Sequence, residues 1–233
     1  SPSHQSPYLM NQTLAALRDD MCRVGASLFA RGYVHASAGN ISVRVPTHMG
    51  GGYLITPTDA CLGFLKPNEL SWLDDGGLQH SGSTASKTIE LHLKIYEADQ
   101  HAHCIIHTHA TNCVATTLNE PHATGDLLPP ITPYFVMKVG HVPRIAYARP
   151  GHPNVAHAVK QAIEDAAARL CPIRAVMLDR LGPTVWHQTP SSAMAALEEL
   201  EETAKLWLLS QGQAPSLSDA AINDLCDTFG AHW

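Results

Sequence analysis

Hydrophobic positions along the chain recur at two spacings, one typical of helices and the other typical of strands. Over residues 11–31 they recur at steps of three and four, which predicts an amphipathic helix. Residues 40–45 alternate polar and apolar side chains, as a half-buried strand does, and 53–56 is predicted as the returning strand of a hairpin. A third strand is predicted at 70–74. The first third of the chain therefore predicts one helix followed by antiparallel strands.

The rest of the chain mixes the two patterns in the same way. Further helices are predicted at 86–98, 110–118, 150–170 and 190–210, and further strands at 104–109, 142–147, 174–178 and 184–186. The Pro-rich stretch 120–132 is predicted to be irregular. Because no linker interrupts this mixture, we expect one α/β domain over 13–233, preceded by a flexible segment at 1–12.

Composition narrows the possible function classes. The 233 residues are 45% hydrophobic and 15% charged, so a core can form and intrinsic disorder is excluded. A net charge of −6 argues against nucleic acid as a partner, since binding its phosphates requires a basic face. No apolar stretch is long enough for a transmembrane helix, and 1–12 lacks the features of a secretory signal. The six cysteines form no CxxC pair, so we expect reduced, mostly buried thiols in a cytoplasmic protein.

Two of the 15 histidines stand in the sequence His107-Thr108-His109. Every second side chain of a strand leaves the same face, so two imidazoles at the end of the predicted strand 104–109 would be able to share one metal ion. An isolated pair of this kind is more often hydrogen-bonded to its neighbours. Because this pair stands at the end of an apolar strand, metal binding and ordinary hydrogen bonding are equally well supported.

Three short polar segments stand at the ends of predicted elements. They are Ser37-Ala-Gly-Asn40, Thr56-Pro-Thr-Asp59 and Ser86-Lys87. Small residues let backbone N–H groups approach an anion, and the N-terminus of a helix favours a phosphate or carboxylate. Each segment taken alone is explained by an ordinary turn, and Ser86 by an ordinary helix N-cap. The three together with the paired histidines are more informative than any one of them.

Other chemistry-bearing residues give weaker signals. A phenol such as that of Tyr134 can donate a proton to a carbanion, although the residues alone favour a half-buried aromatic with its hydroxyl bonded to backbone. No nucleophile elbow, P-loop or dinucleotide fingerprint is present, which leaves those mechanisms without support. The predicted helix 190–210 carries four glutamates that are interpreted as a solvated face: Glu198, Glu199, Glu201 and Glu202.

Several segments, in their order along the chain, resemble the class II aldolase/adducin family. They are SAGNISVR at 37–44, LITPTD at 54–59, SK at 86–87, HTHA at 107–110 and LLPPITPYFVMKVG at 127–140. As a set they are specific, and the resemblance extends from about residue 14 to residue 209. Within the family the chain is most similar to the 3-oxo-tetronate 4-phosphate decarboxylase branch, through ARGYVHASAGNIS, TPTDACLGFL and LEELEETAKLWLL.

The resemblance implies an α/β fold with a central, largely antiparallel sheet flanked by helices. It implies a homotetramer with active sites between subunits, a phosphorylated small-molecule substrate, and a divalent metal, which is Zn²⁺ in the first place and Mn²⁺ as an alternative. The matching positions are Gly39, Asn40, Thr58, Asp59, Ser86 and Lys87 for substrate binding, His107 and His109 for the metal, and Tyr134 for proton donation.

Two positions depart from the family pattern. Thr88 stands where the family has a glutamate that serves both the metal and acid/base chemistry, and Glu90 lies about 200° further around a helix. Leu181 stands where the family has its third metal histidine, and a leucine side chain cannot coordinate a metal. The groups left to complete the metal's shell are Asp179, His187, His92 or the substrate itself.

The sequence therefore predicts a metal-dependent lyase that decarboxylates a phosphorylated 3-oxo sugar acid to a phosphorylated ketose such as dihydroxyacetone phosphate. Loss of carbon dioxide from a 3-oxo acid requires no base, which agrees with Thr88 in place of glutamate. The alternatives are retro-aldol cleavage by a class II aldolase and a non-catalytic adducin-like scaffold. Thr88 and Leu181 favour the scaffold, whereas the retained histidines and anion loops favour an enzyme.

Overall fold

The computed structural model describes residues 13–233, so the flexible segment predicted at 1–12 lies outside the described residues. The described chain divides into two compact units. The first unit comprises the described residues up to Thr108 together with Trp186–Met194, and the second comprises His109–Val185 and Ala195–Trp233. Both units combine helices with strands, as the prediction of an α/β fold requires.

The first unit is built on an antiparallel sheet. Its elements are α1 (Leu14–Ala30), β1 (Asn40–Arg44), β2 (Tyr53–Ile55), β3 (Ser71–Leu73), β4 (Gln79–Ser81), α2 (Ile89–Ala98) and β5 (Cys104–His107). The strand order is β4-β3-β2-β1-β5, with every neighbouring pair antiparallel. The hairpin predicted from the alternating pattern is confirmed as β1 and β2.

Helix α1 forms where the apolar spacing predicts it. The Thr13 side chain accepts a hydrogen bond from the Ala16 amide at 3.0 Å and so caps its N-terminus, while Gly32, with φ of +79°, follows its end. The apolar face packs on the short turn Leu62–Phe64. A Cβ on Gly25 would lie 2.5 Å from the Leu62 carbonyl oxygen, so only glycine permits this approach.

The second unit carries the remaining elements. They are α3 (Thr111–Asn119), α4 (Pro133–Lys138), β6 (Arg144–Ile145), α5 (Pro153–Ala168), β7 (Ala175–Leu178) and α7 (Asp219–Phe229). Strand β8 (Gly182–His187) begins in this unit and ends in the first, and helix α6 (Pro190–Leu209) begins in the first and continues here. Strands β6 and β7 are parallel, whereas β7 and β8 form an antiparallel hairpin.

Three element boundaries differ from the predictions. Strand β5 ends at His107, so His109 lies beyond it and strand alternation does not govern its direction. Helix α2 begins at Ile89 with Thr88 as its N-cap, because the backbone at Ala85 still pairs with another loop. Strand β8 begins at Gly182 rather than at 184, which shortens the link from β7 to Asp179–Leu181.

The cysteines and the helices bear on two further expectations. All six cysteines are free, as predicted, but only Cys104 and Cys113 are buried, and the other four are half-buried. The expectation of mostly buried thiols is therefore wrong, because those four lie near the ends or outer faces of their elements. Among the helices of residues 13–233, none combines the length and the apolar character that crossing a bilayer requires.

Candidate functional site

Strands β1 and β5 place two of the sequence-predicted site residues side by side. Asn40 lies directly opposite His107 in this antiparallel pair. Directly opposed residues project from the same face of a sheet. Both are buried, with 5% and 8% of their surface exposed. The pairing of these strands therefore holds an amide and an imidazole as neighbours at one end of the ladder.

The backbone before Asn40 requires glycine. Gly39 has φ of +82°, a region that side chains with a Cβ rarely adopt. A Cβ at this position would lie 2.8 Å from Val34 Cγ1 and 2.9 Å from the His107 carbonyl oxygen. The conformation and the close approach both exclude a larger residue. Gly39 thus serves to bring the chain past the end of β5 and into β1.

The three predicted anion loops are joined by hydrogen bonds within the first unit. Thr56, which follows β2, accepts a bond from the Ile41 amide at its Oγ1 and donates its own amide to the Ile41 carbonyl, at 3.1 and 2.9 Å. The Thr58 amide donates to the Thr84 carbonyl at 2.8 Å, and the Ser86 amide donates to the Thr56 carbonyl at 3.3 Å. Thr56 therefore connects the loop of Asn40 to the loops of Thr58 and Ser86.

The loop side chains differ in exposure and in partners. Asp59, with φ of +59°, and Lys87 are exposed, whereas Thr58 and Ser86 are half-buried. Thr88 does not cap helix α2 with its side chain, because its hydroxyl lies 2.9 Å from Ser86 Oγ. The two hydroxyls and one ammonium of this segment are the groups available to an anion. The N-cap interpretation of Ser86 is wrong.

A buried histidine lies behind Asn40. His92 of α2 is fully buried, with Nε2 at 2.5 Å from Asn40 Oδ1 and Nδ1 at 2.6 Å from Ser42 Oγ. The Tyr96 hydroxyl lies 2.8 Å from the same Ser42 oxygen. Burial, and next the neighbouring His107, lower the pKa of His92 to about 3, so its ring is neutral near pH 7.

The protein groups that were candidates to complete a metal shell make other contacts in the structure. Both ring nitrogens of His92 are used in hydrogen bonds. Both carboxylate oxygens of Asp179 accept bonds from the Arg144 guanidinium, at 3.0 and 2.9 Å, in a buried ion pair. The His187 carbonyl pairs with the His103 amide, at the opposite end of β5 from His107, roughly 13 Å along the strand.

Residues 13–233 contain no group of three His, Cys, Asp or Glu side chains placed to hold a metal ion. The His107 and His109 imidazoles are nitrogen donors of the kind that Zn²⁺ accepts. Thr108, between them, is fully buried, and its hydroxyl has no hydrogen-bond partner within the same described range. An unpaired buried hydroxyl is expected beside a site where a ligand supplies the partner. The chemistry of these residues is therefore compatible with a bound metal ion.

In the second unit, His109 is followed at once by helix α3. The N-cap of that helix is Ala110, which has no side-chain acceptor. The Glu201 carboxylate supplies one instead, accepting bonds from the Asn112 and Cys113 amides at 3.1 and 2.9 Å. Its negative charge also lies at the positive end of the helix dipole, which stabilises the helix. Glu201 is therefore a cap for α3 and not part of a solvated face.

Tyr134 lies in the first turn of α4, which the sequence pattern did not predict. The Thr132 hydroxyl caps this helix by accepting from the Phe135 amide at 3.1 Å. Phe135 and Val136 are buried, whereas Tyr134 is 60% exposed. The interpretation of Tyr134 as a half-buried aromatic is wrong, because its position on the short helix directs it away from the core.

Sequence reasoning did not assign a positioning role to four residues that have one in the structure. They are Ser42, Thr56, Tyr96 and Glu201. Two signals were present, since Ser42 lies two residues beyond Asn40 on the same face of β1, and Tyr96 follows His92 by one helical turn. The other two contacts join residues far apart in the chain and leave no local pattern.

With this geometry established, comparison with known proteins gives the family. Residues 19–208 match the sequence profile of the Class II Aldolase and Adducin N-terminal domain. The chain belongs to this family. A 3-oxo-tetronate 4-phosphate decarboxylase of Cupriavidus necator is 47% identical over 226 residues, which cover 95% of this chain and 99% of that protein.

Solved structures of the class II aldolase family agree. YgbL from Escherichia coli superposes with a TM-score of 0.81 at 35% identity, covering 91% of this chain and 98% of YgbL. L-fuculose-1-phosphate aldolase from Thermus thermophilus superposes with a TM-score of 0.69 at 27% identity, covering 86% and 98%. The predicted family and the α/β fold class with a largely antiparallel sheet are confirmed.

Proposed function

We propose that this class II aldolase family member is a carboxy-lyase that converts a 3-oxo-tetronate 4-phosphate to dihydroxyacetone phosphate and carbon dioxide. The observation that carries the proposal is Thr88. A hydroxyl bonded to Ser86 Oγ at 2.9 Å replaces the family's acid/base glutamate, and Glu90, the next carboxylate, is exposed. Decarboxylation of a 3-oxo acid is the family reaction that needs no base to begin. The decarboxylase relative at 47% identity supports the same reaction.

The loops of the first unit are proposed to bind the substrate phosphate. Asn40 donates through its side-chain amide, Thr58 and Ser86 donate through hydroxyls, and Lys87 supplies a positive charge. Gly39 and Asp59 shape the turns that present them. Binding through a group that does not react fixes the orientation of the 3-oxo acid and lowers the entropic part of the barrier.

The chemical step breaks the bond between C1 and C2. The electron pair of that bond passes to C2 and the C3 ketone oxygen, which gives carbon dioxide and an enolate. A proton from the Tyr134 hydroxyl then reaches C2 and gives the ketose phosphate. Tyr134 is reprotonated from water, which its exposure allows. Atoms and charge balance without an oxidant or a reductant.

His107 and His109 are proposed to hold a divalent metal, Zn²⁺ or alternatively Mn²⁺. When bound, the metal would act as a Lewis acid on the ketone oxygen. The substrate offers a ketone oxygen and an adjacent hydroxyl, which would occupy the positions that Leu181 and Thr88 do not fill. The pairing of these two histidines rests on their sequence spacing and on the family resemblance.

The proposal is tested by incubating the purified protein with synthetic 3-oxo-tetronate 4-phosphates and measuring both gas and phosphorylated products. Release of carbon dioxide in equal amount to dihydroxyacetone phosphate supports it. Ketose 1-phosphates are tested in parallel, because a 3-oxo-tetronate has no hydroxyl β to its ketone; their cleavage into two carbon-containing fragments without gas would show the retro-aldol alternative suggested by the family. Failure to convert either substrate class would show a non-catalytic, adducin-like scaffold.

The assembly and location proposed for the chain follow from the family resemblance. We expect a homotetramer in the cytoplasm with active sites between subunits. Such an arrangement would give the exposed Tyr134 access to the site of a neighbouring subunit. Light scattering or analytical ultracentrifugation of the purified protein would measure the assembly, and a monomer with full activity would contradict this part of the proposal.

A further inference from the structure

His92 was a candidate metal ligand, and the structure gives it another role. We propose that His92 is a positioning residue that orients the Asn40 side-chain amide, so that its NH₂ group and not its oxygen faces a bound anion. The inference rests on the proposed function, because it assigns Asn40 to the substrate phosphate. It concerns how the site is held in shape and adds no step to the reaction.

The direction of the hydrogen bonds follows from the chemistry of the atoms. The Asn40 oxygen can only accept, so His92 Nε2 carries the proton across the 2.5 Å contact. In the neutral ring Nδ1 then accepts from the Ser42 hydroxyl at 2.6 Å, and Ser42 accepts from the Tyr96 hydroxyl at 2.8 Å. The two hydrogens on Asn40 Nδ2 therefore point away from His92.

The far end of this hydrogen-bond chain is fixed by packing. Tyr96 is 1% exposed, and its ring stacks on Tyr53 with centroids 4.9 Å apart. The Arg44 guanidinium lies 4.8 Å from the centre of the same ring and donates to the Tyr96 carbonyl at 2.9 Å. A buried and fully satisfied network of this kind is rigid. It therefore transmits a fixed orientation to Asn40.

An amide held by nothing else can rotate by 180° and exchange its donor for its acceptor. With the donor outward, Asn40 attracts a phosphate oxygen, and with the acceptor outward it repels one. The backbone places Asn40 opposite His107 but does not choose between the two amide orientations. His92 makes that choice, because it offers a donor to one end of the amide only.

Two substitutions at position 92 separate this role from simple packing. In His92→Gln, the side-chain NH₂ lies near the position of Nε2 and can still donate to Asn40. In His92→Asn, the shorter amide lies near the position of Nδ1, keeps the contact with Ser42, and has no donor for Asn40. Both variants replace the imidazole by a neutral amide, so each serves as the control for the other.

We expect His92→Asn to raise KM for the 3-oxo-tetronate 4-phosphate about tenfold, with kcat changed less than about threefold, since a hydrogen bond to a charged group has this strength. His92→Gln should keep KM within about threefold of the wild type. On an Asn40→Ala background, His92→Asn should raise KM no further. Equal KM values for the two single variants, or a full effect without Asn40, would overturn the proposal.

Two further measurements keep the test decisive. If His92→Asn does not fold, Asn40→Asp replaces it, because a carboxylate accepts from His92 and presents only oxygen to the anion; an unchanged KM would contradict the proposal. Calorimetric titration with inorganic phosphate measures binding without turnover. The wild type and His92→Gln should bind phosphate with similar affinity, and His92→Asn should bind it more weakly. If the wild type releases no carbon dioxide but the phosphate affinities of the three proteins still follow this order, the proposed function is refuted and the role of His92 is retained.

Discussion

The two units hold their site residues by different means. In the first unit, Asn40 and His107 are partners in a β-ladder, and backbone hydrogen bonds connect their loop to Thr58 and Ser86. In the second, His109 and Tyr134 stand beside the first turns of the short helices α3 and α4, which depend on caps. Sheet pairing resists local opening more strongly than a helix terminus does. The first unit is therefore preorganised, whereas the second relies on single capping side chains.

The largest expected effect in the second unit is on proton donation. Tyr134→Phe should lower kcat about 10³-fold with little change in KM, because a general acid contributes on this scale and the ring remains in place. Tyr147→Phe removes the hydroxyl of another exposed tyrosine, 57% exposed against 60%, and is the matched control. Equal rates for the two variants, measured as carbon dioxide release, would remove Tyr134 from the mechanism.

The next largest effect tests the preorganised loop of the first unit. Gly39→Ala should lower the free energy of unfolding by about 3 kcal/mol, because it places an alanine in the left-handed backbone conformation and adds two close contacts. Gly32→Ala is the control, since Gly32 has nearly the same φ, +79° against +82°, and a Cβ added there would have no atom within 4 Å. It should lose only about 1 kcal/mol.

Urea unfolding of the two glycine variants measures this difference. A Gly39→Ala protein as stable as Gly32→Ala would show that the loop can shift away from the His107 carbonyl. The claim that sheet pairing fixes this loop would then fail. The activity of the Gly39→Ala protein, measured in parallel, reports whether the anion loops keep the arrangement that binding the substrate requires.

The buried histidine predicts a pH dependence of stability. The folded-state pKa of His92 is about 3, below its unfolded value of 6.5, so the unfolded chain binds a proton that the folded chain does not. Its contribution is complete above pH 6.5 and is lost progressively as pH falls toward 3. Between pH 7.5 and 5.0 the wild type should lose about 2 kcal/mol more than His92→Gln. Urea titrations with chelator present check this, and parallel pH curves would contradict it.

The smallest effect concerns the cap of α3. Glu201→Gln weakens two charge-assisted bonds to backbone amides and should lower the free energy of unfolding by about 1–2 kcal/mol. Glu202→Gln changes the exposed neighbour in the same helix and should have almost no effect. Thermal unfolding compares the two variants. Equal midpoints would show that α3 does not need the carboxylate, and that the second unit is less dependent on capping than inferred.

Local patterns account for the elements that the sequence predicted. The hairpin of β1 and β2 follows from the alternation of polar and apolar residues, and α1 (Leu14–Ala30) follows from apolar spacing, because each signal is local. Strand β4 was missed since Gln79-His80-Ser81 has no apolar side chain and forms the edge of its sheet. Helix α4 was missed because six residues after a Pro-rich stretch are too few to show a helical period.

The site residues likewise divide into those that local sequence predicts and those that depend on distant contacts. Small polar residues indicated the three anion loops, because turn chemistry is local. The orientation of Asn40 was not predictable, since its partner His92 lies 52 positions away and either residue alone has several possible roles. Glu201 was misassigned for the same reason, because its partners, the amides of α3, are 88 and 89 positions distant.

The most direct test of the account is zinc binding measured together with carbon dioxide release. Metal-stripped wild type, the His107→Ala, His109→Ala double variant and a His101→Ala control would each be given Zn²⁺. Wild type and control should bind about one Zn²⁺ per chain and regain activity, whereas the double variant should bind no metal and react about 10³-fold more slowly. Chelator-insensitive release by the wild type, or full metal and activity in the double variant, would contradict the account.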